Sequence, residues 1–411
     1  LSLKKKPQSK QLKPLAKARS KGSPRVPTSA LSPQIPGLKL GILGGGQLAQ
    51  MLALAAYPYG ILPQIYAPSS TEPAAQVSPF FFQGDLKDEK ALESFLKQCD
   101  VVTFESEFLN ASLLEKLSLD TQTPIFPHPR LMGELQDRLS QKRLLEKYKI
   151  PTAPWGVVDT WSDIEALTES LSSVGREIVL KQRRFGYDGY GTFFVNPKKD
   201  FSLWEQIQSK TKEGFIAESK IPFKRELALI LARDRHGNIV DFPLVESKQT
   251  NARCDWVMGP IRHPKEQALR KVLKHFIRKE DYIGVIAFEL FDTGKELLVN
   301  EIAPRVHNSG HYSQDALSMS QFQAHVMAVC NQQLFTPKVL APFAMANLLG
   351  VTGETPSWPR TLWSSQHQGH LHWYGKKENR AHRKMGHINT LGKTPKAALS
   401  VALTARRKVT L

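Results

Sequence analysis

Apolar positions along the chain follow two periods. Short buried-type runs at Leu38–Leu43, Ile61–Tyr66 and Asp100–Glu105 alternate with helical stretches such as Gln47–Ala56, which predicts a small α/β domain with a parallel sheet up to about residue 130. From Glu134 to Tyr148, Leu135, Leu139 and Leu145 fall on one stripe and predict a single helix. Strands are expected at Ile178–Lys181, Thr192–Val195, Phe215–Glu218, Glu226–Arg233, Val285–Phe291 and Leu297–Ile302. Gln321–Val329 reads as a helix, and Asn331–Phe343 has the composition of a linker.

The 411 residues allow two or three domains. No apolar run approaches the roughly 18 residues of a membrane span. Cys99, Cys254 and Cys330 match no zinc or redox spacing and read as inert thiols in a reducing compartment. The net charge of +18 changes the picture only at one end. Residues 1–36 hold nine Lys and Arg and no acid, half of the surplus. Rich in Pro and Ser, this segment reads as a disordered tail. Its possible uses are a solvated extension, a sequence-independent contact with phosphates, or a cleaved presequence. The chain opens on Leu1 rather than Met, which leaves its true start open.

Chemistry concentrates in four places. Gly44-Gly45-Gly46 between a strand and a helix makes an anion site, and the second strand lacks the acid that a nicotinamide ribose wants, so a phosphate or small polar ligand is favoured over NAD. Glu105 and Glu107 lie at a strand end, where ligands sit in open sheets; the plain alternative is that they cap the next helix. Lys181 precedes a loop with three glycines, Gly186, Gly189 and Gly191, and a returning strand, together a flap able to fold over phosphates. Arg138 and Lys142, four apart, are neighbours on a helix and ordinarily form a solvated basic edge.

The fourth place is the hairpin Val285–Ile302. Glu289 and Glu301 are acids among apolar neighbours, costly unless paired. A loop of Asp292–Glu296, with Phe291 opposite Leu297, puts both on one face as diagonal neighbours; a two-residue turn would separate them. A divalent cation relieves two like charges, and Mg²⁺ takes one or two carboxylates plus substrate phosphates. Near the end, His370, His372 and Tyr374 share a strand face, with no carboxylate seen to accompany them. Lys376, Arg383 and Lys384 form a basic cluster.

GILGGGQLAQM, LQDRLSQK, GYDGYG, VNEIAPRVHNSGHYS, SQFQAH and LHWYGK with RKMGHIN together resemble the N5-carboxyaminoimidazole ribonucleotide synthetases of the ATP-grasp superfamily, from about Leu38 to Asn389. The resemblance implies an α/β and α+β ATP-grasp architecture: a basic tail at 1–36, a parallel-sheet α/β domain at 37–133, an ATP-grasp domain at 134–332 and a small β-rich domain at 333–411. It implies carboxylation of aminoimidazole ribonucleotide with ATP, Mg²⁺ and bicarbonate, in a cytoplasmic homodimer; no membrane role is expected, and no nucleic-acid contact beyond a nonspecific one of the basic tail. Arg138, Lys181, Gly186, Tyr187, Asp188, Gly189, Gly191, Glu218, Ile221, Glu226, Gln249, Asn300 and Glu301 would hold ATP. Glu289 and Glu301 would bind the metal. Gln47, Glu107, Lys376 and Arg383 would bind substrate, with Tyr187, Arg305, His307 and Asn308 at the reacting groups. Tyr190, Gln249, Ala49, Gln50 and Phe108 depart from the family's usual residues, none of them at Glu289, Glu301 or Lys181. The chain after Asn389 looks short, which would weaken the third domain.

Overall fold

A computed structural model describes residues 36–171, 177–186, 189–209, 211–351, 357 and 369–411. The basic tail up to residue 35, Tyr187 and Asp188 lie outside the described residues. Among those described, no helix is long and apolar enough to cross a membrane.

The first sheet comprises β1 (Lys39–Leu43), β2 (Leu62–Ala67), β3 (Phe81–Gln83) and β4 (Val101–Phe104), all parallel, in the order β3-β2-β1-β4. Its central strands are covered on both faces and therefore read as mainly apolar runs. Helices α1 (Gln47–Ala56), α2 (Glu89–Leu96) and α3 (Ala111–Thr121) flank it.

The expected helix over 134–148 is two helices, α4 (Pro129–Gln136) and α5 (Arg138–Lys147). Asp137 breaks it. Its backbone is extended, and its carboxylate caps α5 by accepting from Leu139 N–H at 2.9 Å while pairing with Arg183. A cap of this kind is worth about 1 kcal/mol, enough to favour the break at a site where a distant arginine also calls for the acid.

A small antiparallel sheet follows, in the order β5 (Trp155–Val158), β8 (Phe215–Ser219), β6 (Ile178–Gln182), β7 (Thr192–Val195), with α6 (Trp161–Leu171) and α7 (Phe201–Gln208). Phe215–Ser219 and β9 (Arg225–Arg233) therefore belong to different sheets and do not form a hairpin. The large sheet has nine strands: β9, β10 (Ile239–Asp241), β11 (Val245–Thr250), β12 (Arg253–Gly259), β13 (Gly284–Asp292), β14 (Leu297–Ala303), β15 (Phe343–Leu349), β16 (Gly369–Trp373) and β17 (Lys384–Leu391). Helix α8 (Glu266–Lys279) packs Leu269, Leu273, Phe276 and Ile277 on one of its faces. The short α9 (Ser313–Ala316) and α10 (Gln321–Val329) cover the other, and α10 shares one core with α1 of the first sheet.

The C-terminal strands extend the large sheet, β15 pairing with β12. The stretch after Asn389 is not too short to support them. It forms α11 (Pro395–Arg406), capped by Thr394 with Pro395 in its first turn, and lays Ala398 and Ala402 on Ala344 and Ala346.

Candidate functional site

Asp292 pairs with Leu297, leaving a four-residue loop closed by Thr293 N–H donating to Glu296 O at 3.1 Å. Phe291 thus faces Leu298, not Leu297. Continued regularly, this register would set Glu289 across from Asn300 and turn Glu301 to the other face. A bulge prevents that. Pairing passes from Leu290 with Val299 directly to Glu289 with Glu301, skipping Asn300. The two acids share a face as direct opposites instead of diagonal neighbours. Burial raises the Glu289 carboxyl to about 7, with Glu301 and Glu226 adding repulsion. The donor set is hard, anionic oxygen from two carboxylates, and it fits Mg²⁺. Among the described residues no three His, Cys, Asp or Glu converge to hold an ion unaided.

The skipped residue has its own partner: Asn300 Oδ1 accepts from Lys181 Nζ at 2.8 Å. Lys181 also donates to Glu218 Oε2 at 3.0 Å. Lys142 Nζ stands 3.2 Å from Glu218 Oε1. Burial alone would raise Glu218, and the two lysines more than offset it, holding the carboxyl below its usual range. The Arg138–Lys142 pair is therefore no solvated edge; both are buried. Arg138, at the start of α5, forks onto Glu301 at 3.2 and 3.3 Å and donates to Gln182 O at 2.9 Å. Gly186 passes so close that a Cβ there would lie 2.1 Å from Arg138 Nη1. Gly189 and Gly191 adopt positive φ of 84° and 72°, which a side chain would strain.

Glu226, Ser247, Gln249, Glu289, Asn300 and Ser309 line one cleft. Burial raises Glu226, opposed by the Gln249 backbone N–H, and Gln249 Nε2 donates to Ser247 Oγ. Ile221 lies on the β8–β9 connection, and Phe223 stacks on Phe291 at 4.6 Å.

His307 sits at the edge of this cleft. Its Nδ1 accepts from Ser309 N–H at 3.3 Å and lies 2.9 Å from Ser309 Oγ. Because a backbone amide can only donate, the neutral ring carries its proton on Nε2, 3.4 Å from Glu289 Oε1. Burial first, then Arg305 and Lys384, pull His307 down to about 3. Asn308 beside it is buried with neither side-chain atom partnered by protein. Arg305 forks onto Glu107, Nη2 to Oε1 at 2.9 Å with Nε on Oε2, so the structure brings two of the expected site residues together across the two domains.

At the Gly-rich turn, Glu105 accepts from Gly46 N–H at 2.6 Å and Ala49 N–H at 3.0 Å. Two amides of the helix start are thus taken by the protein's own carboxylate, which reaches them from the end of β4. Glu105 and Glu107 do not cap the next helix, since Asn110 caps α3. Gln47 opens α1 beside the Glu105 cap. Lys376 lies 5.7 Å over the Tyr374 ring, and Arg383 Nη1 donates to Glu378 O. Burial raises the carboxyls of Glu105 and Glu72, with Lys376 among the charges opposing it at the first and Arg383 at the second. The C-terminal strands thus present cations to the first domain. A carboxylate does accompany His370 and His372: Asp315 of α9 reaches them at 3.4 and 2.7 Å.

The sequence reading set Lys142 on a solvated edge and missed the bulge at Asn300 and Ser309, none of which leaves a local signal.

The ATP-grasp domain profile matches residues 143–322, a ribonucleotide synthetase preATP-grasp domain residues 38–136, and a phosphoribosylaminoimidazole carboxylase C-terminal domain residues 344–400. The chain is 36% identical over 354 residues to the N5-carboxyaminoimidazole ribonucleotide synthase of Synechococcus elongatus, covering 85% of this chain and 88% of that protein. It is 36% identical over 359 residues to the Brucella melitensis protein of the same name, covering 87% and 97%. The Staphylococcus aureus synthetase solved with ADP superimposes with a TM-score of 0.80 at 33% identity, covering 90% of this chain and 97% of that one. The Aspergillus clavatus synthase solved with ADP and 5-aminoimidazole ribonucleotide gives 0.77 at 27% identity, covering 90% and 99%.

Proposed function

Given that the chain belongs to the N5-carboxyaminoimidazole ribonucleotide synthase family of ATP-grasp ligases, we propose a division of labour for the residues of its cleft. The enzyme carboxylates 5-aminoimidazole ribonucleotide at the expense of ATP, a step of purine biosynthesis. The observation that carries the site assignment is Glu289 facing Glu301 beside Lys181 and Arg138.

Lys181 and Arg138 would meet the nucleotide phosphates under the flap, and Glu226 with Gln249 the nucleoside end. Glu289 and Glu301 would hold Mg²⁺, which when bound neutralises charge on the transferring phosphoryl group. Bicarbonate is a poor electrophile. One of its oxygens attacks the γ-phosphorus and ADP leaves, giving carboxyphosphate. The amine nitrogen of the ribonucleotide then bonds to the carboxyl carbon, phosphate departs and the nitrogen loses a proton. Arg305 would stabilise the anionic intermediate and Glu107 hold that guanidinium in place. His307, with its proton fixed on Nε2, acts here as a hydrogen-bond donor. Lys376 and Arg383 would close on the ribonucleotide from the C-terminal strands and exclude water from an intermediate that hydrolyses readily. On the analogy with its family we also take the enzyme to be cytoplasmic and homodimeric.

ADP release with bicarbonate, measured with and without aminoimidazole ribonucleotide, tests this. Turnover that needs both is the expected result. Turnover indifferent to the ribonucleotide would point to another acceptor, and ATP binding without turnover to a non-catalytic relative. Glu301→Gln should abolish Mg·ATP turnover with the circular dichroism spectrum unchanged; surviving activity would refute the metal assignment.

A further inference from the structure

Glu218 carries a second cation that the scheme above leaves without a task. Lys142 lies one turn beyond Arg138 on α5 with only 2% of its side chain exposed. Its Nζ sits 3.2 Å from Glu218 Oε1 and donates to Thr152 Oγ1 at 2.6 Å. Thr152 in turn donates to Val299 O at 2.7 Å. The other carboxylate oxygen takes Lys181 at 3.0 Å, and Lys181 reaches on to Asn300 at 2.8 Å.

These contacts cross a boundary. Glu218 and Lys181 belong to the small sheet, Val299 and Asn300 to the large one, and Lys142 to helix α5. A carboxylate held by a single lysine can rotate about its terminal torsion and follow that lysine. One hydrogen-bonded through Oε2 and ion-paired through Oε1, by cations from two different elements, is restrained at both ends, and so is the lysine it presents to the cleft. Charge points the same way. Lys181 and Glu218 alone would cancel and give a phosphate little reason to approach. With Lys142 the cluster carries one net positive charge, in a setting where water screens poorly. Burial pulls Lys142 down to about 8, with Glu218 opposing, which leaves it mostly protonated at neutral pH.

We propose that Lys142 is a positioning residue for nucleotide binding, acting through Glu218 to hold Lys181 and to supply the excess charge of the cluster. The inference rests on the reading of Lys181 as a phosphate ligand. It is tested in the full chain by calorimetric titration with ADP, and by KM for ATP against kcat, in Lys142→Met, Glu218→Gln, their double variant and Lys181→Met. Lys142→Met should weaken ADP binding and raise KM for ATP by about 10- to 100-fold, the loss expected for a charged hydrogen-bonded contact, with kcat changed far less. In the Glu218→Gln background the same substitution should cost clearly less, because the positioning through Glu218 is already gone and only the charge is lost, whereas a role in folding alone would add the same loss in either background. Thr152→Val, which keeps Lys142 but removes its second anchor, should weaken ADP binding several-fold. Wild-type ADP affinity in both Lys142→Met and Thr152→Val, with Lys181→Met impaired, overturns the inference alone. Wild-type affinity in Lys181→Met overturns the phosphate-ligand reading beneath it.

Discussion

Replacing His325 by leucine should destabilise the protein at neutral pH and cost less as the pH falls. His325 on α10 is fully buried and ties the two large units together. Its Nδ1 accepts from Val285 N–H of β13 at 3.1 Å, so its Nε2–H donates to Thr103 Oγ1 of β4 at 2.7 Å. Leucine fills a similar volume but leaves a buried hydroxyl and a buried amide unpaired, at about 1–3 kcal/mol each. The expected loss near neutrality is therefore about 2–6 kcal/mol. Burial holds the native imidazole at about 3, against roughly 6.5 in the unfolded chain. Between those values the unfolded chain binds a proton that the native protein refuses. The stability this group lends is intact above about pH 6.5 and drains as the pH falls below it. At about pH 5 the wild type has lost 1.5 pKa units' worth, or about 2 kcal/mol. Leucine does not titrate, so the gap between the two proteins should narrow by about 2 kcal/mol between about pH 7.5 and 5. Urea unfolding followed by fluorescence and circular dichroism reads this directly, because His307, His311 and His387 titrate in both proteins and cancel in the difference. A gap independent of pH would refute the neutral, hydrogen-bonded state assigned to His325.

Three further outcomes follow from the site. Glu107→Gln removes the charge opposite the Arg305 fork and should lower kcat/KM for the ribonucleotide about tenfold or more, while ADP affinity measured by calorimetry stays at the wild-type value. Gly186→Ala would drive a methyl group into the Arg138 guanidinium, loosening its hold on Glu301, and should raise KM for ATP by about tenfold in steady-state assays. Burial pushes Asp137 up, but Arg183 and the Leu139 amide hold it below its usual value. Its stabilisation is thus present above the ordinary carboxylate range and lost on acidification. Thermal unfolding should show Asp137→Asn about 1–2 kcal/mol less stable at neutral pH, with the deficit shrinking as the pH falls below the ordinary carboxylate range.

Local signals carried much of the fold. Gln47–Ala56 and Gln321–Val329 form the helices that their periodicity announces, and the mainly apolar runs of the first sheet are strands buried on both faces. What failed depended on partners far along the chain. Asp137 splits a helix because Arg183 needs it. Lys142 is buried because Glu218, 76 positions on, sits against it. Glu105 meets amides of the Gly-rich turn from the end of another strand, and Asp315 reaches His372 from 57 positions away. The exception is α11, whose Thr-Pro start was legible but whose buried face is alanine, too weakly apolar for periodicity to register.

The hairpin shows why pattern alone could not place the acids. Glu289 and Glu301 fall on one face only if the sum of their positions matches the parity of the turn, and a four-residue loop from Thr293 to Glu296 has the wrong parity. An odd loop would have supplied the match without a bulge, and the two arrangements are equally compatible with the alternation of Leu, Val and Ile around them. They differ in Asn300. With an odd loop and a regular ladder, Asn300 would lie on the face opposite Glu301, away from the cleft. The bulge adds one residue where the strand passes Lys181, so that Glu301 regains the face of Glu289 while Asn300 remains free to accept from the lysine. The irregularity therefore lets two consecutive residues, one for the cation and one for the ammonium group, serve the same cleft, which a regular strand cannot do because it sends neighbours to opposite faces.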